Sequence, residues 1–303
     1  MDFVTIIYNN KTELNLMKLQ AISMKYVDQQ IINRIYIIYN DIGAYNIDDI
    51  LPFYPGNLRS KVKVVYNTEI DACFKDKMSA FPWHKQQILK LLVANIVESK
   101  YYLIMDGKNH FIKNITYSDY FNDNGYPRLF VWNPGNMIRF YYSCLDYFQI
   151  EDPYDFKNTK NCNIFLTTTP FLMCKDDVLE MTEYIVKREN DTFYNFFMKR
   201  SDLHTEFYLY ITYLIFKNKI KYCDITSTNF SAIMGSTLRK WNSYEDNALP
   251  IINIPRIKIF GLHRGAIAKM DDTVKQNMLT FYHLYYDHET CEFIKNSILE
   301  LED

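Results

Sequence analysis

The run Tyr101-Tyr102-Leu103-Ile104-Met105 leads straight into Asp106-Gly107-Lys108-Asn109-His110. An apolar run this short, rich in Tyr and Ile and closed by a glycine, fits a central strand covered on both faces. In open α/β sheets ligands bind just beyond the carboxyl ends of such strands. Asp106 is therefore expected at the mouth of a cleft, with Lys108 and Asn109 beside it. Asp-Gly is also a common turn dipeptide, and these few residues alone do not separate the two readings.

The flanking sequence supplies the rest of a sheet. Residues 4–8 read as a strand ended by Asn9-Asn10, and Leu14, Met17, Ala21 and Met24 then recur at helical steps, which predicts an amphipathic helix to about Asp28. Residues 34–39 and 61–65 are further strands. Strand, helix, strand in this order argues for parallel pairing through a right-handed crossover. The strand ends then share one sheet edge with Asp106, as a nucleotide cleft requires. At that edge Tyr8 can pack on a base and Asp41 can hold a ribose hydroxyl; each also reads as an ordinary strand-end turn residue.

Pro82 suits the first turn of a helix whose buried face is Ile88, Leu91, Leu92 and Ile96, continuing to Val97. Gln87 and Lys90, three apart, share one face of it, either towards the cleft or towards solvent. Beyond it, 128–132 reads as a strand, Asn133-Pro134-Gly135 as a turn and 137–148 as an apolar helix. Residues 163–167 form a short strand, and 169–173 extend the sheet. A helix over 176–188 has Asp176 as its N-cap candidate and basic residues in its last turn. An aromatic-rich segment from Phe193 leads to a helix starting at Glu206, 257–260 is a last strand, and 272–300 is charged, aromatic and helix-patterned.

Several function classes are excluded. Gly-x-Gly-x-x-Gly and the P-loop pattern are missing, as is the Gly-x-Ser-x-Gly elbow. The six histidines show no metal-ligand spacing. A net charge of −2 gives no field for nucleic acid, and basic residues do not cluster between aromatics as a nucleic-acid groove requires. Cysteines at 73, 144, 162, 174, 223 and 291 include no Cys-x-x-Cys pair, so reduced thiols of a cytoplasmic protein are expected. The start of the chain lacks a signal-peptide pattern, and no run approaches the length of a bilayer span. Aromatic content is 17%. Tyrosine suits sugar stacking, while the joint abundance of Ile, Asn, Lys and Tyr also fits codon bias.

In order along the chain stand Trp83-x-x-Gln86-Gln87-x-x-Lys90, the Asp106-Gly107-Lys108-Asn109 strand end, Thr205-Glu206 opening a helix, and Leu262-His263-Arg264. This ordered set resembles a bacterial family of glycosyltransferases found in polysaccharide gene clusters, and the strand end is similar to the Asp-X-Asp element of GT-A nucleotide-sugar glycosyltransferases. The likeness covers roughly residues 80–270. It implies a GT-A-like α/β fold with a central, mostly parallel sheet flanked by helices, plus helical C-terminal elements. It implies one domain over 1–303, with a donor half (1–132) and an acceptor half (133–303). It further implies transfer of a sugar from a nucleotide-activated donor to a glycan or lipid-linked glycan, at most peripherally on the inner face of the cytoplasmic membrane.

Where Asp-X-Asp has its second carboxylate, this chain has Lys108. A divalent cation needs several oxygen ligands, so no metal or other cofactor is expected, and Lys108 is expected on the donor diphosphate instead. Glu206 is the expected general base, because inverting transfer needs a carboxylate within reach of the attacking hydroxyl. At a helix start it also gains roughly 0.3–1 kcal/mol from the macrodipole without any catalytic role. His263, Arg264 and Lys269 follow the last strand, where the planar Arg fork suits phosphate oxygens. The donor set is then Tyr8, Asp41, Gln87, Lys90, Asp106, Lys108, Asn109, His263, Arg264 and Lys269. Lys108 also motivates an alternative, a non-catalytic sugar- or nucleotide-binding subunit with a degenerate transferase fold.

Overall fold

A computed structural model describes residues 1–8, 10–40, 47–74, 82–132, 137–155, 164–165, 167–200, 204–226, 231–234 and 256–300. The chain opens with β1 (Asp2–Ile7), α1 (Lys11–Ser23), β2 (Ile35–Tyr39), β3 (Val62–Tyr66) and α2 (Asn67–Ile70). Then come α3 (Pro82–Leu92), β4 (Tyr101–Asp106), β5 (Asn109–Phe111), α4 (Tyr117–Tyr120), β6 (Arg128–Trp132) and α5 (Ile138–Phe148). β7 (Ile164–Phe165), β8 (Phe171–Cys174), α6 (Lys175–Glu189), α7 (Phe193–Lys199) and α8 (Glu206–Phe216) follow. β9 (Asp224–Thr226), β10 (Ser231–Met234) and β11 (Ile259–Leu262) precede the C-terminal helices.

The main sheet has the order β3-β2-β1-β4-β8. Its first four strands are parallel, and β8 closes the edge antiparallel to β4. Alternation along each strand divides the core. Val4, Ile6, Tyr36, Ile38 and Ile104 pack against α3 and the helices from α5 to α8. Phe3, Ile7, Ile37, Leu103 and Met105 pack against Leu14, Met17 and Ala21 of α1. Both faces are thus covered, which is why these strands read as continuous apolar runs. On its far side α1 gives Leu16 and Leu19 to a third cluster, built with the C-terminal helices.

Register sets up the carboxyl edge. Ile6 pairs with Asp106, Ile7 with Tyr39, and Tyr39 with Tyr66. After Asp106 the chain turns out of the main sheet, and β5 pairs antiparallel with β11 in a small sheet. The Leu262 amide donates to the Lys108 carbonyl at 3.0 Å. That bond brings the segment carrying His263 against the Asp106 turn.

Some boundaries differ from the sequence expectation. The first helix stops at Ser23, not Asp28, because the Tyr26 carbonyl and the Asp28 amide bond to the backbone of Ile115. The helix from Pro82 likewise ends at Leu92 and tightens into a 3₁₀ turn over Val93–Asn95. The N-cap of α6 is Cys174, with Asp176 inside the first turn. The Lys175 amide extends the β8–β4 ladder to the Lys100 carbonyl at 2.8 Å, so the strand runs directly into the helix. Residues 272–300 divide into helix Asp272–Tyr282, helix His288–Ile294 capped by Asp287, and a π turn over Lys295–Leu299. Asp41, Asn133-Pro134-Gly135, Cys162 and Asn163 lie outside the described residues.

Candidate active site

The Asp106 turn is fixed by two side-chain amides, those of Asn109 and Gln20. Asn109 accepts from the Asp106 amide at 2.9 Å and donates to the Thr169 carbonyl at 3.2 Å. Gln20 of α1 donates to the carbonyls of Asp106 (2.8 Å) and Asn109 (2.9 Å), and it accepts from Thr5 of β1 at 2.7 Å. The Asp106 side chain is thereby held facing the space between α3 and α8.

Four charges meet there. Lys90 Nζ lies 3.1 Å from Asp106 Oδ1 and 3.0 Å from Glu206 Oε1, and Lys108 Nζ lies 2.6 Å from Asp106 Oδ2. Thr169 Oγ1 donates to Asp106 Oδ2 at 2.8 Å, and Gln86 Nε2 to Oδ1 at 3.4 Å. Lys90 and Glu206 are each 5% exposed. Unpaired buried charges are strongly disfavoured; here two ammonium groups face two carboxylates.

Their pKa values diverge accordingly. Burial pushes the Asp106 carboxyl up, but Lys108 and Lys90, with hydrogen bonds from Lys108 and Thr169, outweigh it and hold the group well below the usual carboxylate range. Burial lowers Lys90, yet Asp106 and Glu206 raise it on balance. Glu206 is raised by burial, which Lys90 only partly offsets. One carboxylate is thus firmly anionic and the other is closer to taking a proton.

A cleft of about 230 Å³ opens over this quartet. Its charged wall is Asp106, Lys108, Lys90 and Glu206, with His263 beside them; Thr167, Thr168 and Thr169 line it, and Trp83, Met137 and Phe207 form apolar surface. His263 caps a short helix, Arg264–Ile267, by accepting the Gly265 amide on Nδ1 at 3.0 Å. The neutral ring therefore carries its proton on Nε2 as a donor. Burial lowers the His263 pKa, and Lys108, Arg264 and Lys269 act in the same sense.

Asp106, Lys108, Lys90, Glu206 and His263 come together in this cleft. Gln87 and Lys90 are both buried, and Gln87 Oε1 accepts from the Glu206 amide at 3.3 Å, so their shared face turns inward and not to solvent. Asn109 is buried, with its side chain engaged in holding the turn. Tyr8 follows β1 half-buried at the same edge. Arg264 lies outside the cleft, its Nε 3.6 Å from Glu13 Oε1, and lines a neighbouring hollow with Lys275. The Glu13 carboxylate draws it there. Lys269 is exposed nearby.

Sequence reading missed Thr169, Gln20 and Met137, and gave Trp83 and Gln86 no role beyond their place in the motif. Trp83, Gln86 and Lys90 stand at i, i+3 and i+7, a helical stripe spacing. The position of Thr169 depends on β8 pairing beside β4 through Ile104 and Phe171, a long-range event with no local signal.

The residues around Asp106 do not fit a divalent cation. Its two carboxylate oxygens face two ammonium groups and a hydroxyl, whereas such an ion needs several oxygen ligands. Among the described residues no group of three His, Cys, Asp or Glu side chains converges as a metal site. Among the same residues no helix is long and apolar enough to cross a membrane.

The architecture has known counterparts. The galactosyltransferase LgtC, solved in complex with donor and acceptor sugar analogs, superposes with a TM-score of 0.51 at 10% identity, over 100% of this chain and 98% of that one. An active-site mutant of LgtC gives 0.48 at 10% identity over 86% and 87% of the two chains. Mouse xyloside xylosyltransferase 1 gives 0.42 at 9% identity over 86% and 97%. The likeness to the LgtC complex establishes a GT-A-like fold: a central, mostly parallel sheet flanked by helices. No curated protein matches the sequence. Residues 12–244 match DUF6492, a family of unknown function, and the chain belongs to that family.

Proposed function

We propose that the protein is a cytoplasmic glycosyltransferase, at most peripheral to the inner face of the membrane, that moves a sugar from a nucleotide-activated donor to a glycan or lipid-linked glycan acceptor in surface polysaccharide synthesis. The observation that carries this reading is the pairing, across one cleft, of the Lys108 ammonium and the neutral His263 donor with a buried carboxylate of raised pKa (Glu206). Lys108 and the Nε2–H of His263 bind the diphosphate, and Arg264 and Lys269 add positive field beside them. Asp106 and Lys90 hold donor-sugar hydroxyls, while Gln87 and Asn109 keep the site in shape. Glu206 takes the proton of the attacking acceptor hydroxyl, and no metal takes part.

The nucleoside lies along the sheet edge towards β3. Tyr66 is half-exposed there and stacks on buried Tyr39, with ring centroids 5.7 Å apart and planes at 25°. Strand spacing puts Tyr66 roughly 14 Å from Asp106, three strands away, a span suited to a base with its diphosphate extended back to Lys108. Tyr8, between them, flanks the ribose or base.

Calorimetric titration with UDP, GDP and CMP and their sugars tests the reading. Binding of one nucleotide class is expected, with slow release of nucleotide from its sugar. The binding-only alternative draws on Lys108, which is already closed on Asp106. It is overturned by nucleotide release that Glu206→Gln abolishes without unfolding.

A further inference from the structure

We propose that Trp83 is the platform on which the acceptor stacks, and that the acceptor group bound there is a pyranose ring. This rests on the transferase reading and adds to it the chemistry of the second substrate.

Trp83 stands in the first turn of α3 and is 49% exposed. A large aromatic ring left half in water at a cleft wall gains little as packing and presents a flat apolar face to whatever enters the cleft. Its ring is tilted against His84, with centroids 5.0 Å apart and planes at 59°. That contact restricts how freely the indole turns. Gln86, three residues on, donates to Asp106, and Lys90, seven residues on, bridges Asp106 and Glu206. One face of α3 thus runs from an exposed indole down to the buried charges.

The remaining apolar lining belongs to the same space. Met137, just before α5, and Phe207, the second residue of α8, line the cleft with Trp83, while Thr167 and Thr168 offer hydroxyls. A ligand here needs a flat CH face for the indole and hydroxyls at its edge for the threonines and Glu206. A pyranose has both, and a purely aliphatic acceptor has neither. The diphosphate end of the donor is fixed at Lys108 and His263. Glu206 stands at the start of α8, beside Phe207, and can receive a proton from a sugar seated on Trp83.

Saturation-transfer NMR and titration with methyl glycosides of galactose, glucose, mannose and N-acetylglucosamine, each with and without UDP, GDP or CMP, test this on wild type, Trp83→Ala and Trp83→Phe. The expected result is saturation on ring CH protons of at least one glycoside, with affinity reduced about tenfold in Trp83→Ala and largely kept in Trp83→Phe. Nucleotide affinity should be equal in all three proteins, and thermal unfolding should confirm that each is folded. Three results overturn the inference: glycoside binding unchanged in Trp83→Ala, no glycoside binding by wild type that binds nucleotide, or equal loss of glycoside and nucleotide in Trp83→Ala. Absence of nucleotide binding in wild type strikes the transferase reading instead, and the glycoside titration then still decides the role of Trp83.

Discussion

Lys90 Nζ lies 3.0 Å from Glu206 Oε1, joining residues 116 positions apart in the chain. The same ammonium reaches Asp106 at 3.1 Å and lies 5.1 Å from the centre of the Phe207 ring. It serves two carboxylates of opposite tendency. Asp106 keeps its charge because Lys108 also holds it, whereas among the described residues Glu206 pairs only with Lys90.

Glu206→Gln should leave the fold intact and reduce transfer by about 10²–10⁴, the usual contribution of a positioned base. The amide keeps the shape and can still meet Lys90, so far-UV circular dichroism and the unfolding midpoint should stay near wild type. Undiminished single-turnover transfer in this variant removes Glu206 from the chemistry.

Lys90→Met should be a stability mutant as well as an activity mutant. It leaves Asp106 and Glu206 buried with one fewer cation, and breaking a buried pair in this way costs about 3–5 kcal/mol. Urea unfolding reads the loss directly. A double variant, Lys90→Met with Glu206→Gln, should recover part of it, because the uncompensated carboxylate is gone.

The pH dependence follows from the opposite shifts. Glu206 must be ionised to accept a proton, and burial raises its pKa. The acid limb of kcat should therefore lie above the ordinary glutamate value of about 4.3 and disappear in the residual activity of Glu206→Gln. Stability titrates differently. The folded-state pKa of Asp106 is depressed, so its contribution is complete above about pH 4 and is lost as pH falls. Glu206, with a raised pKa, contributes stability below about pH 4 that is lost as pH rises through its folded value. Acid unfolding should accordingly be shallower in Asp106→Asn and steeper in Glu206→Gln than in wild type.

At the opposite end of the sheet, Asp2 should carry an unusually large share of stability for a residue so near the start of the described chain. Its buried carboxylate accepts from the amides of Arg34, Glu98 and Ser99 at 3.1, 2.7 and 2.8 Å, and from the side chains of Asn33 and Ser99. It ties β1 to the starts of β2 and β4. Asp2→Ala strips three backbone donors of their acceptor and should lower unfolding free energy by about 2–4 kcal/mol in urea titrations, with the slope unchanged.

Asp106 and Glu206 were legible in the sequence because each marks a change in local pattern. An apolar run stops at Asp106, and an apolar helix starts at Glu206. Lys90 was legible as sharing a face with Gln87, but not as the bridge between those carboxylates, since that contact forms only when α3, β4 and α8 pack together. Thr169 gave no signal for the same reason. Asp176 reads as a cap because capping statistics assume a loop before the helix, whereas here the β8 ladder runs through Lys175 and Cys174 is the N-cap. The pairing of Arg264 with Glu13 was not legible, because Glu13, its partner across the fold, has no sequence mark of its own.

The last prediction concerns Lys108. Breaking a glycosyl–phosphate bond leaves added negative charge on the departing nucleotide, and a preorganised cation beside it lowers the barrier. Lys108 Nζ is 2.6 Å from Asp106 Oδ2. On the proposed transferase reading, donor phosphate would compete with Asp106 for that ammonium. Asp106 would then retain Lys90, Thr169 and Gln86 as partners, so the exchange would leave no bare buried charge. His263 stays neutral, because burial and the surrounding cations lower its pKa, and it contributes a hydrogen bond without charge. Lys108→Ala should thus lower kcat by about 10²–10³, with Lys108→Arg retaining part of the rate. EDTA should leave wild-type turnover unchanged. Turnover lost on chelation and restored by manganese, with Lys108→Ala near wild type, would assign the charge stabilisation to a metal ion and not to this lysine.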